Sequence, residues 1–102
     1  MIRAEFFESK GLLVGFSFSG HSGYAESGSD IVCAAVSSAV QLTANMLEGT
    51  GHAPDVRVGD NVIECRVRPD INASRMIEVL REHFESILEE FPKTIKITNS
   101  EV

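Results

Sequence analysis

The sequence is short of cysteine and of positive charge. Its 102 residues hold two cysteines, Cys33 and Cys65, with no C-x-x-C pair, so neither a structural zinc site nor a paired-thiol redox motif has support in the spacing. Lys and Arg number 9 against 15 Asp and Glu, a net charge of −6, and no Lys or Arg falls between Gly11 and Arg57. A generic phosphate-binding surface is therefore disfavoured, and no direct nucleic-acid partner is expected. The N-terminus MIRAEFFESKGLL lacks an apolar stretch after a basic start, and the apolar runs fall short of the roughly 20 residues that span a bilayer. No membrane association is expected and a cytoplasmic location is. There is also no internal repeat, linker or low-complexity tract, so residues 1–102 read as a single domain with one core.

What is present reads as alternating strands and two helices. IRAEFF alternates as a strand, ESKG supplies a turn, and LLVGFSFS sets Leu12, Val14, Phe16 and Phe18 against Leu13, Gly15 and Ser17, completing a hairpin. From Ser19 to Ser29 no period is visible, and Gly20, Gly23 and Gly28 with Ser22, Ser27 and Ser29 predict a loop. Asp30 or Ser29 is a suitable N-cap for a helix carrying Val32, Val36, Ala39, Val40, Thr43, Met46 and Leu47 at helical spacing. After the turn-rich EGTGHAPD, the segment DVRVGDNVIECRVR predicts a second hairpin around Gly59, Asp60 and Asn61. A second helix, capped by Asn72 or Ser74, presents Ile77, Leu80, Phe84, Ile87, Leu88 and Phe91, and KTIKIT forms a last strand beyond Pro92. The order β-β-α-β-β-α-β predicts an α+β fold: a mainly antiparallel sheet of about five strands with two helices packed on one face.

The stretch GHSGYAESGSDIVCAAVSS places His21 and Cys33 at the two ends of the Gly/Ser-rich loop. With Asp30 as N-cap, Cys33 falls in the first helical turn, where free backbone N–H groups and the helix dipole favour a thiolate. His21 lies twelve residues earlier, across a loop able to fold back, and would serve as base and then acid beside that nucleophile. Spacing alone does not make this pair a motif, and a buried thiol and a surface histidine account for the same residues.

The eighteen residues GHSGYAESGSDIVCAAVS resemble the signature of the ribosomal-processing cysteine proteases, the Prp family. That resemblance implies a cysteine endopeptidase using His21 and Cys33 to remove a short N-terminal extension from a large-subunit ribosomal protein. It also implies a homodimer. In such a mechanism Cys33 attacks the scissile carbonyl, His21 protonates the departing amine, and backbone N–H groups at the helix start, including that of Cys33, hold the oxyanion. No cofactor or metal is called for.

Other residues carry two readings each. Asp30 is read as the cap that fixes the helix start, ahead of a third catalytic member. Gly20 and Gly23 allow close approach of a substrate backbone or keep the loop mobile. Tyr24 stacks on substrate or anchors the loop, and Ser37, four residues after Cys33, lines the site or makes room for the sheet. Cys65, in an apolar alternation, reads as packing, and His52 and His83 as surface residues. Glu78, Glu82, Glu85 and Glu89 form a solvated helix face that would also attract a basic substrate. The alternative from another class is a noncatalytic module binding an anion or protein through the Gly-rich loop and helix N-terminus, although the loop lacks the Gly-Lys-Ser/Thr ending of a phosphate loop.

Overall fold

The structure, a computed structural model, describes residues 1–20 and 27–102; the side chains of 27–30 lie outside the description. The elements follow the expected order: β1 (Ile2–Ser9), β2 (Leu12–Ser19), α1 (Ser27–Gly49), β3 (Asp55–Gly59), β4 (Val62–Arg66), α2 (Ile71–Glu90) and β5 (Ile95–Glu101). One five-stranded sheet has the order β3-β4-β2-β1-β5. All neighbours are antiparallel except β1 and β5, which run parallel.

Two hairpins and two crossovers generate this order. At the first hairpin Lys10 (φ 53°) and Gly11 (φ 83°) are both left-handed, the backbone that a two-residue turn demands. The connections β2-α1-β3 and β4-α2-β5 leave antiparallel neighbours and travel in opposite directions across the sheet. Right-handed crossovers of that kind bring both helices to the same face. There Phe6, Phe16, Cys65 and Ile95 from the sheet meet Val36, Val40 and Leu47 from α1 and Ile77, Leu80 and Phe84 from α2. The Phe6 ring stands 6.5 Å from Phe16 and 6.0 Å from Phe84, within the range of favourable tilted packing.

The alternation expected along β2 does not hold throughout. Phe7 pairs with Gly15 but Glu8 pairs with Leu13, which leaves Val14 as the extra residue of a β-bulge. Leu13, rather than Val14, consequently joins the helix-side core. Beside the bulge, the Leu13 N–H donates to Ser74 Oγ at 2.9 Å. Ser74 is thus a tie between α2 and the sheet rather than the helix cap. The cap is Asp70, whose carboxylate accepts from the N–H groups of Asn72 and Ala73 at 2.9 and 3.0 Å.

Helix α1 also departs from its predicted start. It begins at Ser27, three residues before Asp30, and takes in Gly28 and Ser29 that composition assigns to the loop. Serine and glycine are weak formers of helix interiors, but the first turn tolerates them. By length and hydropathy alone Ile31–Gly49 is apolar enough to cross a membrane, contrary to the reading of the apolar runs. Its apolarity has a different cause here, because Val32, Val36, Val40 and Leu47 are buried against the sheet and α2.

Candidate active site

The buried stripe of α1 fixes what its two flanks face. Val32, Val36, Val40, Thr43 and Leu47 turn inward. At about 100° per residue, Cys33, Ser37, Gln41, Ala44 and Glu48 fall on one side of that stripe and Ala35, Ala39, Leu42 and Met46 on the other. The second side faces α2 across a cavity of about 590 Å³ that includes Leu42, Met46, Met76 and Val79. The Cys33 side faces the β3–β4 hairpin across a cavity of about 230 Å³. Its walls are Ser37, Val40 and Gln41 from α1, Phe18 from the end of β2, and Val58, Gly59, Asn61, Val62 and Ile63 from the hairpin.

Cys33 is a free, half-buried thiol packed against the edge of the core. It is the seventh residue of α1 counted from Ser27, so it lies in the second turn and not the first as expected. The N–H groups that a helix leaves without intrahelical partners belong to its first turn, and the dipole's influence fades over the same distance. Neither the expected oxyanion donation by the Cys33 N–H nor the expected activation by the helix end fits this position. Asp30, the fourth helical residue, is likewise inside the helix rather than at its cap.

Of the other expected site residues, His21, Gly23 and Tyr24 lie outside the described residues. Gly20 is described and closely held: its N–H donates to the Asn61 carbonyl at 3.1 Å, and its φ of 83° is left-handed. A Cβ there would stand 2.8 Å from the Met1 carbonyl oxygen. The residue immediately before His21 is therefore anchored to the β3–β4 turn, on the rim of the cavity that Ser37 lines from the other side. Ser37 follows Cys33 by one helical turn, as predicted, and is half-buried. The structure thus brings together the chain end leading into His21, the helix side bearing Cys33, and a hairpin.

That hairpin is what sequence reading missed. Val58 is 76 % exposed, and alternation explains it equally well as the inner face of an ordinary edge hairpin, opposite Ile63. Only the crossover that carries α1 over the sheet sets it opposite the helix side that bears Ser37 and Gln41. Cys65 behaves as read: fully buried, with its thiol pushed up to about 11 by burial and then by the charge of Asp55. His52 does not, since it is half-buried and its Nδ1 lies 3.7 Å from the capping carboxylate of Asp70. Of the helical glutamates, Glu78 and Glu82 share an ion pair with Arg75, as a solvated face commonly does.

Comparison with known proteins bears on the whole of this arrangement. The crystal structure of the essential ribosomal processing protease Prp from S. aureus in complex with a substrate peptide superposes with a TM-score of 0.85 at 23 % identity, covering 98 % of this chain and 100 % of that one. SMU.848 from Streptococcus mutans superposes with a TM-score of 0.81 at 25 % identity, covering 100 % and 96 %. These likenesses show a shared fold. No curated relative matches the sequence. The family model of the cysteine protease Prp matches residues 1–96, nearly the full length, and the chain belongs to that family.

Proposed function

We propose that this cysteine protease is an endopeptidase whose Cys33 and His21 form the dyad, and that it trims an N-terminal extension from a ribosomal protein. The observation that carries the dyad is the shared cavity: Gly20, one residue before His21, is tied to Asn61 on its rim, and Ser37, one turn after Cys33, lines its wall. The substrate reading is supported by the S. aureus protease of the same fold, a ribosomal processing enzyme crystallised with a substrate peptide and with a covalently linked product peptide.

In this mechanism His21 takes the thiol proton and the Cys33 sulfur adds to the scissile carbonyl. Collapse of the tetrahedral adduct breaks the C–N bond, the amine leaves with the proton from His21, and an acyl thioester stays on Sγ. Water then gives a proton to His21 as its oxygen adds to the thioester, which releases the shortened protein's leader as a carboxylate and restores the thiol. With Cys33 past the first turn of α1, activation rests on His21 rather than on the helix end. A homodimer and a cytoplasmic location belong to the same reading. Incubation with the organism's own extended ribosomal protein, followed by intact mass, should give one defined cut. Cys33→Ala and His21→Ala should each lower the rate by at least about 1,000-fold, the loss typical of removing a nucleophile or its base. A folded, unmodified protein that makes no cut would overturn the substrate reading, and full activity in Cys33→Ala would overturn the dyad.

A further inference from the structure

Given that dyad, we infer that Asn61 is a positioning residue for the reaction: its left-handed backbone turns its carbonyl onto the Gly20 N–H and so fixes the direction in which the chain enters His21. The register of the sheet shows why this contact stands apart. Ser19 and Val62 are the last pair of β2 and β4. The next rung, from the Gly20 N–H to the Asn61 carbonyl at 3.1 Å, lies beyond both strands, with Gly20 past the end of β2 and Asn61 inside the β3–β4 turn. The exit of β2 is therefore tied to a turn instead of a strand.

The shape of that turn decides whether the rung exists. β3 ends at Gly59 and β4 begins at Val62, so Asp60 and Asn61 are the two central residues, and Asn61 is left-handed with φ 58°. Turns that need a left-handed residue at the second central position take Gly or Asn there. Asn61 meets that need while exposed, outside the core. Gly20 is where the geometry has its effect. Its own φ of 83° turns the chain, and the Met1 carbonyl oxygen, 2.8 Å from where a Cβ would stand, closes one side of it. Held on its other side by the Asn61 carbonyl, Gly20 leaves the sheet in one direction, and His21 is the next residue. Asn61 also belongs to the wall of the cavity that Ser37, one turn after Cys33, lines from α1. The turn thus spans the two halves of the dyad. A base must come within about 3 Å of the group whose proton it takes, and a misplacement of about 1 Å costs on the order of 100-fold. A residue that sets where the chain carrying the base begins therefore acts on the rate.

The test follows the reactivity of Cys33 and needs no substrate. The iodoacetamide carbon bonds to Sγ as iodide leaves and the thiol proton passes to His21. The adduct is read by peptide mapping at about pH 6.5, where histidine still accepts protons, beside the urea midpoint of each variant. His21→Ala should slow the reaction at least tenfold. Asn61→Val, whose branched side chain resists a left-handed backbone, should slow it at least fivefold, and Asn61→Ala about threefold. Asn61→Gly, which adopts that backbone freely, should recover the rate to within about twofold of the unmodified protein. Lys10→Val places the same strain at the β1–β2 turn, where φ is 53°, and should lower the urea midpoint comparably while the rate stays within twofold. The deciding measurement is a double-mutant cycle: in a His21→Ala background, Asn61→Val and Asn61→Ala should each change the rate by less than about 1.5-fold, because no base is left to position. An equal fall in both backgrounds, a rate unmoved by Asn61→Val, or an equal fall in Lys10→Val would overturn the inference. Its failure is distinguishable from that of the dyad. A rate that depends on His21 but not on Asn61 loses only the positioning, whereas a rate indifferent to His21→Ala loses the dyad and the positioning with it.

Discussion

Cys33 and Cys65 face the same core from opposite layers, one on helix α1 and the other on strand β4 beneath it. Cys65 has β2 and β3 hydrogen-bonded on either side, no exposed surface, and a titration pushed up to about 11. Cys33 lies at the margin of the helix's buried stripe, half-buried, on the side where the sheet leaves an open cavity. The difference is one of topology rather than residue type. A central strand closes its side chains on every side, whereas a helix that crosses over toward an edge hairpin leaves one side uncovered, and a nucleophile is usable only there.

The largest effect that would break this comparison is in thiol chemistry. At pH 7.5 a thiol titrating near 11 is ionised to about one part in 3,000, and only the thiolate reacts. Iodoacetamide should therefore modify Cys33 of the native protein at least about 100-fold faster than Cys65, read by peptide mapping. In concentrated guanidinium the two rates should converge. Equal rates in the native state would mean that the sheet does not seal Cys65.

Much of this could be read from residues, and the misses share a cause. The element order, the two hairpins and the amphipathic faces follow from period, turn residues and caps, all of which are local. So does the reading of Cys65 as packing, since it alternates with Glu64 and Arg66 in a strand pattern. The bulge at Val14 was not legible, because the N–H of the adjoining Leu13 is held by Ser74, sixty-one residues further along the chain. The cap of α2 was legible in principle: Asp70 stands beside Asn72 and Ser74, and only tertiary demand for the Ser74 hydroxyl decides among them. The parallel pairing of β5 with β1 and the placement of Val58 opposite the Cys33 side depend on how crossovers traverse the sheet, which no local pattern encodes.

A second, smaller effect sharpens the contrast from the Cys65 side. Its thiol titrates at about 11 when folded against an ordinary value of 9.0, so folding favours the protonated form. The stability this confers is complete below about pH 9 and is lost as pH rises through about 11. Two units correspond to about 2–3 kcal/mol. Urea unfolding at pH 8 and pH 11 should show that decline in the unmodified protein. Cys65→Ala, although less stable at pH 8 through the lost sulfur, should decline by correspondingly less over the same interval. Parallel declines would remove Cys65 from the account.

The smallest expected effect lies where the two regions join. Gly20 directly follows β2, whose Phe16 pairs with Cys65 and whose Phe18 lines the cavity on the Cys33 side, and it precedes His21. Gly20→Ala puts a side chain on a left-handed backbone and a methyl 2.8 Å from the Met1 carbonyl oxygen. The strand end must shift, at a cost of about 1–2 kcal/mol, which the urea midpoint reads. Because the Gly20 N–H is held by Asn61, the shift is transmitted to the cavity rim and not to the centre of the sheet. Peptide cleavage should consequently fall further than the stability loss alone accounts for, while the alkylation rate of Cys65 stays within about twofold of that in the unmodified protein. If Cys65 became reactive along with the loss of cleavage, strand β2 would be transmitting the strain inward, and the separation between a sealed thiol and an open one would be a property of the strand end rather than of the layers.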